Sequence, residues 1–378
     1  MRFEEVLGQE HLKKHLIQSA DKGRIPHAQL FVGPEGSGTL VAAIAYARYL
    51  ICNKNSSSTD CHLKFDQLAH PDLHFAFPVN TNDRIKKHPV SNHFMGEWRQ
   101  FLKEQPYGNL FDWLRLLGIE KKQGNIGVDE ATDIVKKLSL KSFEGGHKVM
   151  IIWMAERLNS AASNKLLKLL EEPPKDTVFI LIAIDEEQLI STIRSRCQVL
   201  HFARLPEAVI KEALIARNVN PIEAQRLAHQ SNGNFNKAVD LVNRDSEDLV
   251  FEQWFVSWVR SAFKAKGNKG AIHDLIAWGE EIAKTGRETQ IKFLKFCLEL
   301  FRQAMLLHYK AESLVFMQPS VENFELKKFA PFVHENNVVE ITEELQDAIY
   351  HIERNANSKI ILTDLSIKLT RLLHSKAS

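Results

Sequence analysis

The chain has 378 residues, of which 44% are hydrophobic and 25% charged, and its formal net charge is +2. That length exceeds one ordinary core, so two or three domains are expected. The near-zero charge excludes the global field of a stand-alone nucleic-acid binder, so any DNA contact is local. No run of 18 apolar residues is present, which leaves no transmembrane helix, and Met1-Arg2-Phe3-Glu4-Glu5 does not read as a signal peptide. The four cysteines, Cys52, Cys61, Cys197 and Cys297, are sparse and irregular. They point to a reducing, cytoplasmic setting with no disulfide framework.

The first apolar run, Ala28-Gln29-Leu30-Phe31-Val32, reads as a strand and leads into Gly33-Pro34-Glu35-Gly36-Ser37-Gly38, with a helical run from Leu40 to Leu50 after it. Strand, glycine loop, helix and G-x-x-x-x-G spacing are those of a phosphate-binding loop. Such a loop continues with Lys, which holds the β- and γ-phosphates, and then Ser or Thr, which ligates Mg²⁺. Here those positions hold Thr39 and Leu40. The scaffold is present and its chemistry is gone.

Residues 73–125 show no clear strand. They are rich in aromatics (Phe75, Phe77, Phe94, Trp98, Phe101, Tyr107, Phe111, Trp113) and hold eight Lys/Arg against five Asp/Glu. A small helical insert packing its rings on the main domain is the expectation; rings interleaved with bases also suit a partner- or DNA-contacting insert.

Gly145-Gly146 precedes a second strand-like run, Val149 to Met154. In a nucleotide-hydrolysing site this strand ends in an acidic pair that orients Mg²⁺ and activates water. Trp153 and Met154 stand there instead, and Glu156 further on reads as a solvated helix-start residue. Next comes a helix, capped by Asn159 or Ser160, with a stripe of Leu166, Leu167 and Leu170. Glu171 and Glu172 lie at its C-terminus, where the helix dipole disfavours negative charge, and Pro173-Pro174 ends it. A third strand, Phe179 to Ile184, leads to Thr192-Ile193-Arg194-Ser195-Arg196-Cys197. A guanidinium there can reach a neighbour's phosphates or make an ordinary surface salt bridge.

From 206 the strand signal disappears. Helices are expected at Glu207–Ala216, Ile222–Gln230 and Asn236–Asn243, with a turn at Ser231-Asn232-Gly233-Asn234. Beyond about 248 the pattern is helical to the end, with periodic runs at Val250–Phe263, Gly270–Lys284, Thr289–Tyr309 and Ile341–Arg354.

Several segments together resemble the delta-prime family of bacterial clamp-loader subunits, AAA+ proteins of the DNA polymerase III holoenzyme. They are Val6-Leu7-Gly8-Gln9, Ile25-Pro26-His27-Ala28, the loop at Gly33, and His70-Pro71-Asp72. Further along come Ala162-Ser163-Asn164-Lys165-Leu166-Leu167-Lys168, Leu170-Glu171-Glu172-Pro173-Pro174 and Thr192-Ile193-Arg194-Ser195-Arg196-Cys197. The resemblance covers most of residues 1–240 and is weaker beyond, where Glu353 to Lys359 looks like part of the family's collar.

The resemblance implies an α/β fold in three parts. These are an AAA+ domain with a parallel sheet and degenerate loop over 1–204 (insert about 73–125), a helical lid over 205–245, and an all-α C-terminal collar over 248–378. It implies that Arg196 is an arginine finger acting in trans on ATP held by an adjacent motor subunit. Gly33, Gly36, Gly38, Thr39 and Leu40 would then be a dead ATP loop, with Trp153, Met154 and Asn236 at lost nucleotide positions. Asn236 stands where active ATPases carry an arginine near Gly233. The implied partners are gamma/tau ATPase and delta subunits, the sliding clamp, and primed DNA through the complex, with no membrane. The family often carries zinc on C-x₈-C-x₂-C-x₂-C. Here Cys52 and Cys61 keep the first spacing, but Lys64 and Gln67 hold the other positions, and adjacent Cys61 and His62 fit one tetrahedral site poorly. No zinc is expected, with Cys52 and Cys61 its remaining candidates. Lys136, Lys137 and Lys141 read as a solvated helix face or as a local contact to DNA. The reading is a non-catalytic loader subunit. Its rivals are a motor-type AAA+ ATPase that still hydrolyses ATP and a stand-alone nucleic-acid-binding module.

Overall fold

The computed structural model describes residues 1–52, 59–120, 122–143, 146–243, 246–317, 319 and 321–375. Gly145, expected to introduce the second strand, lies outside them. Among the described residues, five strands form one parallel sheet: β1 (Ala28–Val32), β2 (Leu73–Ala76), β3 (Lys148–Trp153), β4 (Thr177–Ala183) and β5 (Gln198–His201), in the order β2-β3-β4-β1-β5. Every residue of β1, β3 and β4 is buried. Central strands of a parallel sheet are covered on both faces, which is why they read as unbroken apolar runs.

The helices of this region are α1 (Glu10–Asp21), α2 (Thr39–Cys52), α3 (Thr59–Asp66), α4 (Met95–Glu104), α5 (Leu110–Leu116), α6 (Val128–Ser139), α7 (Ser160–Glu171) and α8 (Ser191–Arg194). Strand side chains alternate between two cores. Phe31, Ile151, Trp153 and Ile180 join one with α2, α4 and α5. Leu30, Ile152 and Leu181 join the other with α6 and α7. α9 (Glu207–Ile215), α10 (Pro221–Ser231) and α11 (Phe235–Asn243) follow. The expected turn is a left-handed pair, Asn232 at φ +49° and Gly233 at φ +79°.

The expectation that 73–125 holds no strand is corrected. Leu73-His74-Phe75-Ala76 pairs with β3, from Leu73 opposite Val149 to Ala76 opposite Ile152. A four-residue edge strand containing a histidine has no periodicity to read, and its partners, Val149 to Ile152, come from far along the chain. The remaining aromatics of the insert are core. All eight rings named above are buried. Phe77 stacks on Trp98 at 4.2 Å, and Trp98 stands 5.1 Å from both Trp113 and Trp153. Rings turned inward are not available to bases, so the packing alternative is the one the structure bears out.

By its internal contacts the chain divides into two units, Met1–Ile119 with Gly124–Leu241, and Glu120–Gln123 with Val242–Ser378. The second unit is helical: α12 (Ser246–Lys264), α13 (Lys269–Ala283), α14 (Arg287–His308), α15 (Leu326–Phe329), α16 (Val338–Glu353) and α17 (Ser358–Leu372). Trp258 stacks on Trp278 at 4.8 Å and donates its indole N–H to Ser366 Oγ at 2.9 Å, which ties α12, α13 and α17 together.

The absence of a disulfide framework is also corrected. Cys52 closes α2, Cys61 lies in α3, and the two are disulfide-bonded with Cα atoms 5.9 Å apart. Irregular spacing in sequence hid two helix ends that meet in space. Cys197 and Cys297 remain thiols. No described helix is long and apolar enough to cross a membrane.

Glu130 of α6 is fully buried and accepts the Ser91 amide at 2.5 Å, while the Ser91 hydroxyl bonds the backbone of Phe77. Burial pushes its carboxyl from 4.5 up to about 7, against weaker pulls from Ser91 and Lys137. Between those pH values the folded chain keeps a proton that the unfolded chain releases, so stability falls as pH rises through this window. At about 1.4 kcal/mol per unit the loss is on the order of 3 kcal/mol. Glu130→Gln is expected to flatten that slope, read as a smaller drop in melting temperature between pH 5 and pH 8 than the natural chain shows.

Candidate functional site

β1 delivers the chain to Gly33, whose amide donates to Ala183 O at 3.1 Å, and α2 begins at Thr39. A loop at this place normally turns its amides to a phosphate. Here that face is filled. The Phe235 amide donates to Gly36 O at 3.3 Å. A Cβ on Gly36, whose φ is +72°, would lie 2.0 Å from Asn234 Oδ1. One on Gly38, at φ +91°, would lie 3.0 Å from the Tyr107 ring. The space remaining between the loop, Pro106–Asn109, Trp153 and Met154 is about 40 Å³. Small-molecule sites occupy about 300–1,000 Å³.

Tyr107 is therefore the residue that closes the loop. Its hydroxyl accepts the Leu7 amide at 2.9 Å and its ring meets Phe235 edge-on at 5.0 Å. Burial pushes its phenol up to about 12. The sequence reading counted Tyr107 among the insert's rings but assigned it no role. The signal was the turn-like Pro106-Tyr107-Gly108-Asn109, which nothing in one sequence connects to a loop 70 residues earlier.

Trp153 and Met154, at the lost acidic positions, are both buried. Trp153 packs on Trp98 at 5.1 Å and on Phe101 at 5.7 Å. An ionised carboxylate among these rings would be strongly disfavoured. Met154 takes a left-handed conformation, φ +56°. The reading of Glu156 as solvated is corrected. The side chain is half-buried, its Oε1 accepts the Ile184 amide at 3.1 Å, and burial raises its carboxyl. A short 3-10 turn, Ala155–Arg157, folds it back under the end of β4 rather than out to water. Asn236 is buried and donates to Asp112 Oδ2 at 2.8 Å. The position of the lost arginine is thus tied to α5 of the insert. Loop, Trp153, Met154 and Asn236 are brought together, and Tyr107 and Asp112 join them.

Arg196 lies apart from this group. It sits between α8 and β5, donates to Thr192 O at 2.8 Å and pairs with Glu171 at the end of α7. Its side chain keeps 33% exposure. The unfavourable Glu171 at a helix C-terminus therefore has a partner within the chain. Gln29 of β1 is opposite Gln198 of β5, and Val32 is opposite His201. The loop leaves the C-terminal end of β1, while Arg196 precedes the N-terminal end of β5. The length of β5 separates them, about 13 Å at roughly 3.3 Å per residue. Arg196 therefore lies at the opposite end of the sheet from the chain's own loop. Arg194 pairs separately with Glu187.

Cys52 and Cys61 are bonded to each other, so neither offers a thiolate to a metal. Lys137 pairs with Asp133 at 2.7 Å, as a helix face would have it.

A family profile described as DNA polymerase III, delta subunit matches residues 8–206. The chain belongs to that family. A DNA polymerase III subunit delta' of Bacillus subtilis (strain 168) is 31% identical over 242 residues, 63% of this chain and 60% of that protein. The subunit tau of the same organism is 30% identical over 226 residues, 60% of this chain and 32% of that protein. The chain thus spans less than two thirds of the length of either relative. Among solved structures, a DNA polymerase III gamma subunit-related protein from Thermotoga maritima aligns over 97% of this chain and 99% of that chain, at 16% identity and a TM-score of 0.38. The delta-prime resemblance read from the sequence agrees with the family match, and the parallel sheet followed by helices is the expected fold.

Two outcomes follow from the filled loop. Gly36→Ala is expected to destabilise the chain by about 1–3 kcal/mol, from backbone strain and the clash with Asn234, measured by urea unfolding. Restoring the missing pair alone, with Thr39→Lys and Leu40→Thr, is expected to yield no ATP hydrolysis in a phosphate-release assay, because the cavity stays closed and no carboxylate replaces Trp153 or Met154.

Proposed function

We propose that this chain is a delta-prime-like, non-hydrolysing subunit of a DNA polymerase III clamp loader. On this reading it joins gamma/tau and delta subunits through its C-terminal helices, in the cytoplasm, and presents Arg196 to ATP held by a neighbouring ATPase subunit. The assembly then places the sliding clamp on primed DNA. The chain needs neither nucleotide nor zinc of its own for this role.

The observation that carries the reading is the separation of two chemistries across the sheet. One end holds a loop without Lys, Mg²⁺ ligand, acidic pair or room. The other holds a half-exposed arginine on a surface anchor. An arginine that cannot serve its own loop is suited to serve a neighbour's. A finger supplied in trans contributes about 10³–10⁵ in rate. The pair with Glu171 does not oppose this, because half-exposed ion pairs are worth only about 0–1 kcal/mol.

The test is ATP turnover by the reconstituted loader, stimulated by clamp and primed DNA, with the natural chain and with Arg196→Ala. The variant is expected to assemble normally and to lower turnover at the neighbouring site by at least about a hundredfold. Unchanged turnover in an intact assembly would make Arg196 a surface residue. Hydrolysis by the isolated chain would instead favour the motor-type ATPase.

A further inference from the structure

Cys52, the last residue of α2, and Cys61, the third of α3, are disulfide-bonded and buried, at 2% and 3% exposure. In a cytoplasm, glutathione and thioredoxin-class reductants keep thiols reduced. The disulfides that do form there are transient and sense or catalyse redox change. The two other cysteines take no part. Burial pushes the Cys197 thiol up to about 11 and the Cys297 thiol well above its ordinary value, so neither supplies the thiolate that exchange needs.

A thiol pair works as a switch only when the chain stays folded in both states. α3 meets that condition, because the bond is not its only tie. Arg48, one turn before Cys52 on α2 and 5% exposed, donates from Nε to His62 Nδ1 at 3.3 Å and from Nη1 to Asp66 Oδ1 at 2.5 Å. Phe65 is fully buried, its ring 5.8 Å from that of His70. Reduction removes one tie and leaves the others. It also leaves both thiols on neighbouring helix ends, positioned to close again. Helix ends fray, which gives a small thiol access to sulfurs that are buried in the closed state. Exposed surface borders α3. Leu63 is 56% and Phe143 68% exposed, and the Lys64 ammonium stands 5.3 Å from the centre of the Phe143 ring.

We propose that Cys52 and Cys61 are a reversible redox pair that sets how tightly α3 is held on α2. Bonded, the two helices are locked together. Reduced, α3 depends on Arg48 and Phe65, and the surface of Leu63, Lys64 and Phe143 loosens with it. The oxidant is a small-molecule disulfide. One cysteine thiolate attacks it, forms a mixed disulfide and expels a thiol; the second thiolate attacks the protein sulfur of that mixed disulfide and expels the other thiol. Two electrons and two thiol protons leave the chain, and the oxidant becomes two thiols. A dithiol reverses the same steps. This inference rests on the cytoplasmic part of the reading above and uses neither Arg196 nor the Gly33–Thr39 loop.

The experiment equilibrates the full chain in glutathione buffers from oxidising to reducing ratios, quenches it with acid, and counts free thiols by alkylation and peptide mass. The Cys52–Cys61 pair is expected to convert in one two-electron step, half-complete between the glutathione ratios of an oxidising and a reducing compartment, with Cys197 and Cys297 free throughout. Hydrogen exchange then compares the two end states. The amides of α3 are expected to exchange at least about tenfold faster in the reduced chain, with those of β3 and β4 unchanged. Cys61→Ser is expected to match the reduced chain in every buffer. The proposal is overturned if the pair stays bonded at the most reducing ratio, which makes the bond permanent, or stays free at the most oxidising one. It is also overturned if α3 exchanges alike in both states, or if Cys61→Ser keeps the slow exchange. The first three of these outcomes are read on the natural chain, so a variant that fails to fold does not blunt the test. None of them bears on turnover with Arg196→Ala, so the two readings fail separately.

Discussion

The contact between Trp153 and the rings of the insert organises the first unit. Trp153 ends β3, and Trp98 and Phe101 of α4 pack on it. That packing fixes α4, and α4 carries the turn that lays Tyr107 on Gly38. The same segment continues into α5, which brings Asp112 to Asn236. Each such ring buries about 150–250 Å², on the order of 4–6 kcal/mol at about 25 cal/mol per Å². A carboxylate at 153 would remove part of that burial and add an unpaired charge. Losing the acidic pair and filling the loop are therefore one packing arrangement seen from two sides.

The central strands were legible because burial on both faces writes an unbroken apolar run, as at Val149–Trp153 and Thr177–Ala183. The edge strands were not. β2 has four residues, one of them a histidine. β5, Gln198-Val199-Leu200-His201, buries only Leu200 and begins and ends on exposed polar residues, so it offers no run at all. Of the helices after 206, α9, α10, α11, α13 and α14 were readable to within a residue or two. α12 and α16 begin several residues before their periodic runs, at Ser246 and Val338. α15 and α17 were not separated, α17 being bounded by an Asn357 cap and packing on α13 and α16 rather than by a break in pattern. The missing loop chemistry was readable by residue type alone, at Thr39, Leu40, Trp153 and Met154. What fills the loop was not, because Tyr107 and Asn234 reach it from two distant segments further along the chain. Glu156 misled for a related reason, since its acceptor role depends on Ile184, 28 residues away.

Glu171 shows how a local conflict can be informative and still be misassigned. A carboxylate at a helix C-terminus is disfavoured by the dipole, and the sequence alone leaves open whether a partner chain or the chain itself compensates. Arg196 compensates here. The two residues are 25 apart and meet because α7 runs back towards the strand ends that precede the sheet, where His27 bonds Leu170 O at 2.9 Å. A guanidinium whose two terminal nitrogens are held by Thr192 O and by one carboxylate has few rotamers left to lose when it meets another anion.

A parallel sheet has direction, and direction gives this chain two unlike ends. In a row of alike subunits, each would receive a guanidinium at its loop end and offer one at its β5 end, so the row could extend without limit. A member whose loop end is plugged can offer but not receive. If Arg196 acts as proposed, such a member closes the series of nucleotide sites on one side. The number of working sites in an assembly that contains it is then one fewer than its count of subunits of this fold.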